Sequence, residues 1–121
     1  MSYDPLSAVT DEPLMIDANV VRRLIAFRNN AKFEDLPGEN TTAERERLLN
    51  VIDALTDALI QGVEANATKL WVMAQFEAHL IKVQSEDTVA RDHMGTEVEE
   101  IMDILNIESS DGILSYCLGG I

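Results

Sequence analysis

Residues 41–65, TTAERERLLNVIDALTDALIQGVEA, decide how the rest of the chain is read. Thr41 and Glu44 have the spacing of a capping box, in which a hydroxyl and a carboxylate satisfy free amides at a helix start. No proline follows before Ala65. Leu48, Ile52, Leu55, Leu59 and Val63 recur at steps of four, three, four and four, which places them on one face of a 3.6-residue period. Leu49 and Ile60 widen that stripe toward a second neighbour, so the segment is expected to be the central helix of a bundle.

Working outward from it, Asp17 offers an N-cap oxygen to a helix reaching about Asn30, with Val20, Val21, Leu24, Ile25 and Phe27 as its apolar face and Arg22, Arg23 and Arg28 on the wet side. The stretch 32–40, with a Pro37-Gly38 pair, reads as a loop that docks Phe33 and Leu36 on the core. On the other side, Thr68 caps a third helix from Lys69 to about Val83, lined inside by Val72, Met73, Phe76, Leu80 and Val83. Asp87 caps a fourth helix to Leu105, where Ala90, Met94, Val98, Ile101, Met102 and Leu105 keep helical spacing around an internal Gly95. A short last helix, about Asp111 to Leu118, buries Ile113, Leu114 and Leu118 and stops at Gly119-Gly120. Residues 1–16 form an irregular lead-in, because Pro5 and Pro13 interrupt any helix, and residues 17–121 form one helical domain. Short connections between amphipathic helices favour antiparallel neighbours. The expected fold is therefore all-α: an up-and-down bundle of four main helices with a short fifth C-terminal helix.

Composition agrees with one compact domain. A chain of 121 residues, 46% of them apolar and 26% charged, is long enough to bury roughly 65% of its unfolded surface without staples. The single Cys117 excludes an internal disulfide framework and a cysteine-based zinc site. The N-terminus has acidic residues and prolines where a secretory signal needs a basic start and an apolar run, and no stretch approaches the roughly 18 to 20 apolar residues that span a bilayer. A cytoplasmic protein with no membrane attachment is expected.

Each catalytic or metal reading lacks a member. The two histidines, His79 and His93, follow Phe76 and Ala90 by three residues, where a carboxylate-bridged di-metal bundle places glutamates. Cys117 sits among Leu114, Leu118 and glycines as a small apolar residue would. Asp53 and Asp57, one turn apart, read as a solvated pair. There is no phosphate loop, nucleophile elbow or H-E-x-x-H helix. Met73, Met94 and Met102 fall in register with the core. No enzyme, cofactor or metal is expected.

Charge is the unusual feature. Nine basic residues against twenty-two acidic give −13, and no Lys or Arg follows Arg91. Asp92, Glu97, Glu99, Glu100, Asp103, Glu108 and Asp111 all lie in that last stretch, with Glu99 and Asp103 one turn apart and Asp92 two turns before Glu99. Such a strip repels nucleic acid and anionic membranes and attracts a cationic protein surface. The strip is the expected contact with a basic protein partner. Trp71, beside the seam of the third helix, is a candidate interface anchor.

The run Thr68-Lys69-Leu70-Trp71-Val72-Met73-Ala74-Gln75-Phe76, the later Glu100-Ile101-Met102-Asp103-Ile104-Leu105 and the Glu108-Ser109-Ser110-Asp111-Gly112 turn together resemble a bacterial family of helical proteins of about 120 residues known only as a domain of unknown function. Lys32-Phe33 is a further match, and the resemblance covers most of the chain from about Asp17. Its motifs are structural and carry no catalytic residue across. By size, charge and helical architecture the chain also resembles the immunity proteins that neutralise cognate bacterial toxins. That likeness implies a binding protein that occupies the basic active-site cleft of a toxin enzyme. A structural or adaptor bundle, in a homodimer or larger assembly joined near Trp71, is the alternative, and an acidic nucleic-acid mimic that inhibits a nuclease is a third.

Overall fold

A computed structural model describes residues 4–33 and 42–119. Thr41, Leu36, the Pro37-Gly38 pair and Gly120, each given a role above, fall outside those residues. Among the described residues the fold is an all-α bundle of five helices: α1 (Ala18–Asn29), α2 (Thr42–Gly62), α3 (Lys69–Leu80), α4 (Thr88–Leu105) and α5 (Ile113–Leu118), with 3-10 turns at Pro5–Ala8 and Ile81–Val83. Among the described residues the only strand-like pairing is one antiparallel bridge between Pro13 and Thr68.

Three helix starts form at the residues that sequence chemistry selects. The Asp17 carboxylate accepts from Val20 N at 2.9 Å, the Thr68 hydroxyl from Trp71 N at 3.3 Å, and the Asp87 carboxylate from Ala90 N at 2.8 Å. Each satisfies an amide that no helical carbonyl can reach, typically worth about 1 kcal/mol. The α2 seam is fully buried from Leu48 to Val63, and α2 packs against α1, α3 and α4, which makes it the centre of the bundle. Thr56 is buried beside that seam, where its hydroxyl donates to Ile52 O at 2.7 Å and so needs no outside partner. Met73, Met94 and Met102 lie in the core, as does Gly95 within α4. α5 closes the assembly against α3 and α4.

Three boundaries differ from the sequence reading. α2 ends at Gly62, short of Ala65, and the Trp71 indole occupies the space beside it: a Cβ there would stand 2.6 Å from Trp71 Cζ2. α3 ends at Leu80 and the chain tightens into the 3-10 turn before Val83. α5 starts at Ile113, not Asp111, because Asp111 (φ 52°) and Gly112 (φ 94°) are both left-handed and cannot open a right-handed helix. The apolar face of α1 is also narrower than its composition suggests. Leu24 and Phe27 are buried, whereas Ile25 is exposed.

The end of α1 is closed by Lys32. Its buried ammonium donates to the carbonyls of Phe27, Arg28 and Asn30 and lies 4.4 Å from the centroid of the Phe27 ring. A cation here satisfies orphan carbonyls and meets the negative end of the helix dipole. Burial pushes its pKa down, with Asp53 pulling the other way.

Candidate partner-binding site

The acidic strip is shaped by the way α4 ends. Asn106 adopts the left-handed conformation (φ 58°), and the chain closes with Asn106 N donating to Asp103 O at 3.1 Å and Ile107 N to Met102 O at 2.9 Å. This pair of bonds is a Schellman motif, which brings the residue after the left-handed one against the last turn of the helix. Ile107 and Met102 thereby become neighbours. With Leu114 of α5 they line a groove of about 400 Å³ between α4, the following turn and α5.

Carboxylates stand around this apolar base. Glu99 and Asp103 come from successive turns of α4, and Glu108 comes from the turn. Ser109, Ser110 and Ser115 add hydroxyls on the opposite wall. Glu99, Asp103 and Glu108 are exposed, and among the described residues none of the ion pairs engages them. The described residues also contain no group of three or more His, Cys, Asp or Glu placed to hold a metal ion. The acids are thus spread along a surface, a spacing suited to several cationic side chains over an apolar base.

The other residues of the strip have different places. Glu100 faces a second groove, about 370 Å³, between α1 and α4, where Arg23, Phe27 and Ile104 are its neighbours and Asp103 forms the shared ridge. Asp92 is exposed on α4 but outside both grooves. Asp111 is engaged inside the fold. Its Oδ2 accepts from Lys69 Nζ at 2.8 Å and from Thr10 N at 2.9 Å, and these bonds hold its carboxyl below the usual carboxylate range, the lysine contributing most. The lack of a cation after Arg91 in sequence therefore does not leave Asp111 unneutralised, because Lys69 reaches it from α3. Trp71 is half-buried against the core and Gly62, and it does not line the acidic groove.

Away from the strip, Asp53 and Asp57 also find a partner that sequence reasoning placed on a wet face. Arg28 bonds Asp57 through Nε at 2.8 Å and approaches Asp53 at 3.4 Å, tying α1 to α2. Cys117 is buried and its thiol is pushed up to about 11, chiefly by burial and secondly by nearby Glu77. A thiol so protonated is a poor nucleophile. His79 Nδ1 lies 2.8 Å from Gln75 O, a bond within its own helix. No helix of the described residues is long and apolar enough to cross a membrane.

A family model described as "Domain of unknown function (DUF4844)" matches residues 15–120. No curated protein and no solved structure matches the chain.

Proposed function

The chain belongs to the DUF4844 family, a domain of unknown function, and from its own surface we propose that it is an inhibitory binding protein that neutralises a cognate toxin enzyme by covering a basic active-site cleft. The observation that supports this reading is the groove at the end of α4, where Glu99, Asp103 and Glu108 surround Met102, Ile107 and Leu114. A lysine or arginine laid there would rest its aliphatic stem on the apolar base while its charged head meets carboxylates. The net charge of −13 adds long-range attraction, which raises encounter rates with a cationic surface. The partner is a basic protein in the cytoplasm, not nucleic acid or membrane. The adaptor reading through Trp71 has less support, since the indole is already seated on Gly62.

The test begins with the gene beside this one. Its product should arrest growth when expressed alone, and co-expression of this chain should restore growth. The Glu99→Lys, Asp103→Lys double variant should associate with that product more slowly and with a weaker salt dependence, as expected when rim charges steer the encounter. A harmless neighbour, or one neutralised by the double variant with unchanged association rate and salt slope, would sink the reading.

A further inference from the structure

The segment ahead of α1 is laid as a strap over the start of α3. Lys69 N donates to Glu12 O at 2.9 Å, Leu14 N donates to Ala67 O at 2.8 Å, and Leu70 N donates to the Asp11 carboxylate at 2.9 Å. Pro5 is buried, and Leu6, Val9 and Leu14 pack half-buried against the core. Residues 4–14 of this strap lie outside the stretch matched by the family model.

At one point the strap reaches the turn that walls the acidic groove. Thr10 N and Lys69 Nζ donate to the same oxygen of Asp111, and Ser109 Oγ lies 3.4 Å from the other one. Lys69 is only 6% exposed, and the Asp111 side chain is 24% exposed. A buried ammonium deprived of its carboxylate is strongly disfavoured, so the pair holds itself closed. Asp111 is also left-handed, a conformation that aspartate adopts more readily than most residues but still at a cost, and here its carboxylate is bonded in that state. The residues on either side of Asp111 are groove residues: Ser109 and Ser110 before it, Leu114 and Ser115 after it.

We propose that Lys69, Asp111 and the strap form a latch that sets the shape of the groove's far wall, so that partner capture is controlled from the N-terminal segment although no strap residue lines the groove. Asp111 is then a positioning residue and not a contact. With the latch closed, Ile113 N donates to Ser110 O at 3.2 Å and Leu114 N to the Ser110 hydroxyl at 3.2 Å, which fixes Ser110 and Leu114 on the two sides of the corner. With it open, Asp111 loses the bonds that hold its left-handed conformation and these two bonds loosen together. The control of capture rests on the groove reading above, but the latch itself does not.

Amide hydrogen exchange on the full chain separates the two. Thr10→Pro deletes the strap's donor to Asp111, and the extended Val9 (φ −77°, ψ 128°) accepts a following proline. Thr10→Ala keeps the donor, and Lys69→Met removes the ammonium while keeping an apolar stem. Thr10→Pro and Lys69→Met should speed exchange at Asp111, Ile113 and Leu114 about tenfold or more, a loss of local protection, with Leu55 and Leu59 of α2 unchanged and Thr10→Ala like wild type. Wild-type exchange at the turn in Thr10→Pro overturns the latch, whether or not Lys69→Met folds. In the growth assay, Thr10→Pro should protect less well than Thr10→Ala. Equal protection, with the Glu99→Lys, Asp103→Lys variant impaired, overturns control of the groove by the strap. Full protection by every variant overturns that control together with the groove reading, and leaves the exchange result to judge the latch alone.

Discussion

Glu97 shows how a single side chain can work against this fold. It stands half-buried on α4, where burial first and Glu100 second push its carboxyl above the usual range, while Lys32 and His93 pull it down. A raised folded pKa means the native state favours the neutral acid. The penalty for its charge is therefore fully present above that raised value and absent below the unfolded one. Glu97→Gln should stabilise the protein at pH 7, by no more than about 1 kcal/mol once solvent screening is allowed for. The gain should shrink as pH falls below the raised value and past the ordinary glutamate value of 4.5, in paired urea titrations of the two proteins, and a gain that stays constant down to about pH 4 would contradict the assignment. Little of this is legible in sequence, because Glu97 reads as one more acid of a solvated strip. Lys32 is similar: a lysine in a polar loop gives no sign that it closes α1 over the Phe27 ring. Both depend on which atoms tertiary packing removes from water, and hydropathy patterns carry no such information.

Elements were far more readable, and α2 shows why. Its apolar period is unbroken for a little over four turns, and the seam of Leu48, Ile52, Leu55, Leu59 and Val63, the last just past the helix end, is buried throughout. Leu55→Ala should cost about 2 to 5 kcal/mol, as expected for a large-to-small change in a core that cannot fully close over the void. A urea midpoint equal to wild type would remove α2 from the centre of the bundle. Caps were equally legible at Asp17, Thr68 and Asp87, since their chemistry is local to three residues. Helix ends were less so. Gly62, the last residue of α2, lies where an indole from α3 leaves no room for a Cβ, and α5 starts after a corner whose stabilising ammonium lies on another helix. The groove was half legible for the same reason. Glu99 and Asp103 share a face by helical arithmetic, but Ile107 and Leu114 join them only through the turn made by Asn106 and Asp111. Asp111 reads in the sequence as the first residue of the last helix, and no hydropathy pattern marks it or Asn106 as left-handed.

At the scale of the whole molecule, −13 charges on 121 residues repel one another when the chain is compact, more than when it is expanded. Among the described residues the more exposed pairs that oppose this, Arg28 with Asp53 and Asp57 and Arg47 with Glu86, are individually worth about 1 kcal/mol or less, and Lys69 with Asp111 is sheltered from salt. Screening should therefore help more than it harms. Raising sodium chloride from about 0.05 to 0.5 M, which shortens the screening length from beyond 10 Å to a few ångströms, should raise the urea midpoint, and a midpoint that falls would mean that ion pairs outweigh self-repulsion. Urea is the suitable denaturant, since guanidinium would supply the salt itself. The closure of α5 over α3 and α4 has one more consequence. Cys117, the chain's single cysteine, lies on that helix, buried and with its thiol pushed up to about 11. In neutral buffer it is almost wholly unionised and shielded from aqueous reagents, so a disulfide reagent can react with it only during moments when α5 has lifted away. The bundle thus carries its own chemical clock: the rate at which the native thiol is consumed counts the openings of its carboxyl-terminal end, with no probe added to the protein.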